Sequence, residues 1–528
     1  MQRAARDLAY PDEHIHRTSD DAATSEMPDE AVEPERPRRA HLFRDRVLAL
    51  IVLGAAASRF WALGSPSFWF DEYITNQVVR VRLLDLWSTV QNSEGSPPLY
   101  FLLEWGWVRA FGRGDAAMRS SSALAGTLTV VVMYAALIEF RQSRRAARLA
   151  AVLIAVNPLL IWYSREARAY GLFTFLCACT VLCLARALGR RRPIDYLIWS
   201  CVAAAAFATH YFGAFVIAPQ GAWMLATMWK DRRWRDALYA FVPITVAGVG
   251  LTLMALGQRS TRQNWIPDIP LSLRLSEAGR SFVVGASQPT DILLIVAIPP
   301  LVYAAVAAVR WTGRRERVLS ATMLAVAAAC FVLSVSVGRT YFLGRNSIGI
   351  VILLTVPVAI GLAGDRARLG RVAAVILCGL WLVVTVWVGT DPELQKPDWK
   401  ALAAEIDREV DSDDRVLVIG MMALPMHRYG LAGSRPVNPG ETVTVQEIDV
   451  VKHVPGPRRC ARWIGLTCGI VFWPPDFPPD VQQQFKYVGK FRVDNFQVDR
   501  YRSAEPVQMQ PCRLVTSPNC LVVLHSNG

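Results

Sequence analysis

Lysine is nearly missing from this chain. Only six of its 57 basic residues are Lys, at positions 230, 396, 400, 452, 486 and 490. The positive charge is arginine, and most of it lies in short clusters beside apolar blocks. A net charge of +13 distributed in this way marks membrane topology, not a nucleic-acid surface, so no nucleic-acid partner is expected. Histidine is scarce as well: there are seven, with no metal-type pair. The chain has no Gly-rich phosphate loop and no Walker pattern, which excludes the usual nucleotide-driven machines. Charged residues make up only 19% of the chain, against 53% hydrophobic ones. A soluble chain of 528 residues would divide into several domains and would rarely be so apolar.

Long hydrophobic runs are what the sequence does have. Blocks of about 16 to 22 residues almost free of charge match the length that crosses a hydrocarbon core. Eleven spans are predicted: 47–63, 121–140, 149–163, 170–188, 194–212, 213–229, 237–257, 291–310, 318–337, 346–363 and 371–389. Arg and Lys orient them. Basic clusters precede the first span and follow every even-numbered one, which predicts a cytoplasmic N-terminus and an external C-terminal region. Residues 1–40 are polar, cannot bury enough apolar surface to fold alone, and read as a disordered cytoplasmic tail. Residues 97–111 would reverse all later loops if they crossed the bilayer. They are therefore expected to lie in the interface, within an external loop of 64–120.

The predicted fold class is mainly α, a polytopic transmembrane body over 41–390 with interfacial helices in its first external loop. It is followed by a small extracytoplasmic α/β domain over 391–528. That region reads as a helix at 398–410 and strands at 415–419, 469–473 and within 485–501. Of ten Cys, six lie in apolar blocks and four (Cys460, Cys468, Cys512, Cys520) in the polar C-terminal region. Outside the cytoplasm these four would form two disulfides, with 460–468 and 512–520 favoured among the three connectivities.

Ionisable groups at the outer ends of spans are costly and usually serve function. Three sets stand out. Asp71 and Glu72 follow Trp69-Phe70, with Thr75 nearby, and a carboxylate against a membrane surface can be a poised base. Arg165, Glu166 and Arg168 crowd a very short turn before Tyr170, and arginine at headgroup depth suits a phosphate. His210-Tyr211 and the pair Arg339 and Arg345 sit at further outer ends, while Arg59 is expected to snorkel. The Asp71-Glu72 pair could hold a divalent ion, although no dedicated cage is present. With no cytosolic nucleotide outside the cell, an activated substrate must arrive through the membrane, and a lipid-linked sugar phosphate does so.

At these residues the sequence resembles the polytopic GT-C glycosyltransferases, specifically the protein-mannosyltransferase-like (glycosyltransferase family 39) and lipid A aminoarabinose transferase-like group. The resemblance rests on Trp69-Phe70-Asp71-Glu72, Pro97-Pro98-Leu99-Tyr100 and Arg119. It continues through Tyr163-Ser164-Arg165-Glu166-Ala167-Arg168-Ala169-Tyr170, His210-Tyr211-Phe212-Gly213 and Pro397-Asp398-Trp399-Lys400. It implies a polyprenyl-phosphate sugar donor reached from the lipid bilayer, inversion at the anomeric carbon, and an extracytoplasmic acceptor (protein, glycolipid or cell-wall glycan). Mannose or an arabinose-like sugar would be transferred in a bacterial inner membrane. Carried over by position, Asp71 would be the general base, and Glu72 would support it or bind the acceptor. Arg165, Arg168 and Arg345 would hold the donor phosphate, with Glu166 orienting the arginines and Tyr170 and His210 in support. The sequence departs from the group at Ser96, where relatives carry His, and at Arg345-Asn346, where an Arg-Tyr pair is common. The competing class is a transporter or flippase of a lipid-linked glycan, which should show broken, charge-bearing helices at mid-bilayer.

Overall fold

The computed structural model describes residues 45–93, 95–258, 266–287, 289–364, 366–408, 415–418, 425–426, 428–429, 434–438, 440–453, 477–493, 496–514 and 522–525. The predicted tail, the predicted strand at 469–473, and Cys460, Cys468 and Cys520 lie outside these residues.

Every predicted apolar block is helical. From the N-terminal side come α1 (Arg46–Phe60), the short loop helices α2 (Phe70–Val78), α3 (Leu83–Ser93) and α4 (Leu99–Phe111), and then α5 (Asp115–Glu139). The body continues through α6 (Arg144–Val156), α7 (Pro158–Ser164), α8 (Tyr170–Arg190), α9 (Pro193–Thr209), α10 (Gly213–Lys230) and α11 (Asp236–Gly257). It closes with α12 (Leu271–Val284), α13 (Ile292–Arg310), α14 (Arg314–Ser336), α15 (Gly349–Ala363) and α16 (Ala367–Thr390). Among the described residues six helices are long and apolar enough to cross a membrane, and seven if the bent pair α6–α7 is one span. The other predicted spans are α1, α9, α10 and α15, of 15 to 18 residues. Val242, Val246, Val249 and Leu253 on α11 and Val372, Val375, Val383 and Val386 on α16 are exposed. Apolar stripes of that extent face lipid, not water, and the chain is a multi-pass membrane protein. At 13 residues, α4 is too short for a span.

The predicted single span 149–163 is broken. Pro158 opens α7, the Asn157 side chain caps it by accepting from the Leu160 amide (3.1 Å), and the two halves bend by 57°. Without an N–H, Pro158 leaves carbonyls at the end of α6 without helical donors. Arg59 supplies them, donating to the Ile154 (3.0 Å) and Ala155 (3.1 Å) carbonyls. It is fully buried, so the expected snorkelling is corrected: the guanidinium turns inward because the break needs donors. Gly126 makes the room, since a Cβ there would lie 2.1 Å from the Ser164 hydroxyl.

Basic groups gather at one end of the bundle. Arg148 pairs with Asp45 (3.0 Å), Arg191 with Asp231 (2.9 Å) and Arg233 with Asp236 (2.6 Å), and Arg190 also pairs with Glu139. The loops that carry the candidate chemistry lie at the other helix ends.

After the bundle, α17 (Trp399–Arg408) leads into a six-stranded sheet ordered β2-β6-β1-β3-β5-β4. The strands are β1 (Arg415–Val418), β2 (Ser434–Pro436), β3 (Val443–His453), β4 (Lys486–Val493), β5 (Phe496–Met509) and β6 (Val522–His525), with α18 (Pro479–Gln484) before β4. β1 and β3 are parallel and the remaining pairs antiparallel. Trp399, Leu402 and Ile406 of α17 pack on Leu417, Val451, Phe496 and Val498. Cys512 is disulfide-bonded to a cysteine outside the described residues, whereas the six membrane cysteines are free.

Candidate active site

The site is built around the N-terminus of α2. Trp69 is extended, and the chain turns helical at Phe70 because Glu72, three residues on, reaches back to accept the Trp69 amide (3.3 Å). Successive helical side chains point about 100° apart, so Asp71 and Glu72 face different surroundings.

Glu72 is fully buried and locked. Arg119 grips it through two nitrogens, both at 2.7 Å, and the Ala167 amide donates to it at 2.8 Å. The remaining Arg119 donors reach the carbonyls of Leu63 (3.0 Å), Pro66 (2.7 Å) and Ser67 (2.9 Å). Burial by itself would raise the Glu72 carboxyl, but Arg119 and Lys396 outweigh it and hold it at about 2. The expectation that Glu72 binds an acceptor is therefore corrected: its oxygens are committed to the protein. Among the described residues no group of three or more His, Cys, Asp or Glu is arranged for a metal ion.

Asp71 is accessible. Its carboxylate lies 3.6 Å from Arg345, and each side chain is 21% exposed. Arg168 donates to the Asp71 carbonyl and to the Thr75 hydroxyl, both at 3.2 Å. Arg345 stands in a short 3-10 turn ahead of α15 and packs over the Trp69 ring (5.6 Å). Burial alone would lower its guanidinium, but facing Tyr170 and Asp71 it is raised and stays cationic.

Lys396 also lies near Trp69, 5.5 Å from that ring and 5.6 Å from the Trp162 ring. It pairs with Glu166 at 3.0 Å and Glu72 at 3.5 Å. Glu166 thus pairs with a lysine, and Arg345 acts on it through space. It is buried, and burial raises its carboxyl despite Lys396. Arg165 also differs from expectation. The Asn157–Pro158 break aims the end of α7 so that Arg165 donates to the Trp61 carbonyl (2.9 Å), and with Lys396 it lines a separate cavity walled by Leu63, Ile161, Trp162, Val384 and Val388. Tyr170 packs between Tyr163 (4.9 Å) and His210 (5.8 Å). The His210 ring stacks on Phe173 (4.9 Å), accepts from the Phe212 amide (3.2 Å) and bonds Asn346, the neighbour of Arg345.

Two groups were missed in the sequence. Lys396 could have been found from its rarity, since it immediately precedes the Pro397-Asp398-Trp399-Lys400 motif. Glu277 on α12 carried no signal. It accepts from Ser281 (2.6 Å) and from the Gly344 amide next to Arg345 (3.4 Å), and burial raises its carboxyl.

Residues 95–255 match the family model described as dolichyl-phosphate-mannose-protein mannosyltransferase. No curated protein matches the chain in sequence. Among solved structures, ArnT from Cupriavidus metallidurans bound to undecaprenyl phosphate is 12% identical over 87% of this chain and 98% of that one, with a TM-score of 0.53. The Archaeoglobus fulgidus oligosaccharyltransferase in the apo form is 12% identical over 71% of this chain and 59% of that one, with a TM-score of 0.45. The S. cerevisiae Pmt1-Pmt2 complex bound to the sugar donor is 19% identical over 41% of this chain, with a TM-score of 0.35. The chain spans about a third of that yeast chain's length (34%). By fold this chain is similar to ArnT, and residues 95–255 of its membrane body match the mannosyltransferase family model.

Proposed function

We propose that this chain is an inverting glycosyltransferase that moves a sugar from a polyprenyl-phosphate donor to a hydroxyl on the non-cytoplasmic face of a bacterial inner membrane. One observation carries the reading: Asp71 stands 3.6 Å from Arg345, with Arg168 on its backbone, and these groups come from three segments far apart in the chain. A base beside fixed cations is what a single displacement at a sugar phosphate needs. Asp71 accepts the proton of the acceptor hydroxyl as its oxygen bonds to the anomeric carbon. The bond from that carbon to the phosphate oxygen breaks, and the electron pair leaves with the lipid phosphate. Arg345, Arg168 and Lys396 oppose the charge that develops there. The cavity of Arg165 and Lys396 offers apolar walls to the first prenyl units. Sidedness follows from the basic clusters at the opposite helix ends, and the disulfide at Cys512 agrees with an oxidising compartment.

The bent α6–α7 pair is the one feature that favours the transporter reading. Its freed carbonyls at Ile154 and Ala155, however, accept from Arg59. In the purified protein, Asp71→Asn is expected to lower sugar transfer from a polyprenyl-phosphate donor by about 10²–10⁴-fold with expression intact. Full activity of that variant would remove Asp71 as the base, and donor translocation without transfer in proteoliposomes would favour the flippase.

A further inference from the structure

The segment 63–68, which leads into α2 and sets where Asp71 stands, is gripped from two sides. Arg119 holds three of its carbonyls from the bundle side. From the other side come groups that lie beyond the last membrane helix. Lys400 Nζ donates to the carbonyls of Gly64 (2.7 Å) and Ser65 (3.2 Å). The Ser67 hydroxyl donates to Asp398 (2.8 Å) and accepts the Lys400 amide (3.0 Å). The Phe68 amide donates to the Tyr429 hydroxyl (2.6 Å), and the Arg428 guanidinium lies 4.5 Å from the Phe68 ring.

These contacts share one node. Asp115, the first residue of α5, accepts from the Tyr429 hydroxyl (2.8 Å), Arg428 (2.7 Å) and Lys400 (2.9 Å). One helical turn later the same helix carries Arg119. The first turn of α5 therefore presents Asp115 to the C-terminal region and Arg119 to Glu72, with the strap held between them. Simple docking of a domain would need surface contact only. Here hydrogen bonds run to successive backbone groups of the strap, up to three residues before Asp71.

We infer that the C-terminal external region is a clamp that positions Asp71 for catalysis, with Tyr429, Arg428, Lys400 and Asp115 as positioning residues that act through the strap 63–68. The inference rests on the reading of Asp71 as the base. None of the four touches Asp71, and Arg345 and Arg168, which face it, stand on other segments. Loosening the clamp should therefore slow the chemical step without weakening capture of the donor.

The test uses the full chain in lipid nanodiscs, with Tyr429→Phe alone and combined with Arg428→Met. Loss of the Tyr429 hydroxyl is expected to lower kcat about tenfold, the scale of one hydrogen bond to a charged group, with KM for the polyprenyl-phosphate donor unchanged. By hydrogen exchange, amides 64–73 should open faster in the same variant while those of 158–170 keep their rates. Unchanged exchange at 64–73 would overturn the clamp whatever the activity. So would a rise in donor KM equal to the fall in kcat, or exchange that rises across the whole bundle. A fully active Asp71→Asn with faster exchange in Tyr429→Phe would instead remove the base and leave the mechanical grip standing.

Discussion

The inner faces of α2 and α4 each bury a glutamate, and opposite physics holds the two. Glu72 on α2 meets a guanidinium that fits it through two hydrogen bonds, and it stays ionised down to about 2. Glu104 on α4 is equally buried, but its partner is the Ser121 hydroxyl at 2.6 Å, and its other oxygen has no hydrogen-bond partner among the described residues. Burial there dominates and pushes the carboxyl up to about 8. Burial therefore does not decide charge by itself. A carboxylate at full depth stays charged when a matched cation is built in, and is otherwise held as the neutral acid. Asp71, one residue from Glu72, is placed differently again, partly exposed and 3.6 Å from Arg345.

Removing the cation from the first glutamate tests this contrast most severely. Arg119→Met should strand the Glu72 charge and release the strap, a loss of about 3–5 kcal/mol, read as a fall in Tm and in yield of folded protein. Glu72→Gln in that background should recover part of it, and no recovery would mean that the pair does not act as a unit. A smaller effect belongs to the site mouth. Lys396→Met should raise the donor KM about tenfold, the scale of a charged hydrogen bond, with little change in Tm. A variant with donor KM and kcat both unchanged would place Lys396 away from the phosphate. A further test concerns the second glutamate. Since the Glu104 carboxyl is raised in the fold, the unfolded chain ionises first as pH rises, and stability falls between about 4.5 and about 8. Glu104→Gln should flatten Tm against pH across that window. Glu72 has the opposite sign: its contribution is present above about 4.5 and fades as pH falls toward about 2. An unaltered pH profile in Glu104→Gln would mean that the carboxyl is already ionised in the fold.

The membrane body was legible because apolar block length is set by bilayer thickness, which neighbours do not alter. Details within blocks were less so. The break at Asn157-Pro158 was visible as a dipeptide, but its role in turning Arg59 inward depends on which helix crosses at Gly126. In the candidate site the adjacency of Asp71 and Glu72 suggested a cooperating pair, and helical geometry separates them. The arginine-rich turn was found, yet which arginine faces Asp71 depends on the angle of α7, and Arg165 looks elsewhere. Strand β3 escaped notice because Glu447 and Asp449 break its alternation. Both are buried against β5, where Arg500 lies 3.0 Å from Asp449 and Arg502 2.6 Å from Glu447. Pairing across a sheet is information that no local window holds.

Lys396 follows the last membrane helix, and Tyr429 comes later still. On the proposed topology, a nascent chain whose earlier helices have all inserted carries Asp71, Arg168 and Arg345 but neither that ammonium nor that hydroxyl. On the proposed function, a chain that ends before this segment would therefore turn over activated sugar more slowly than the full chain.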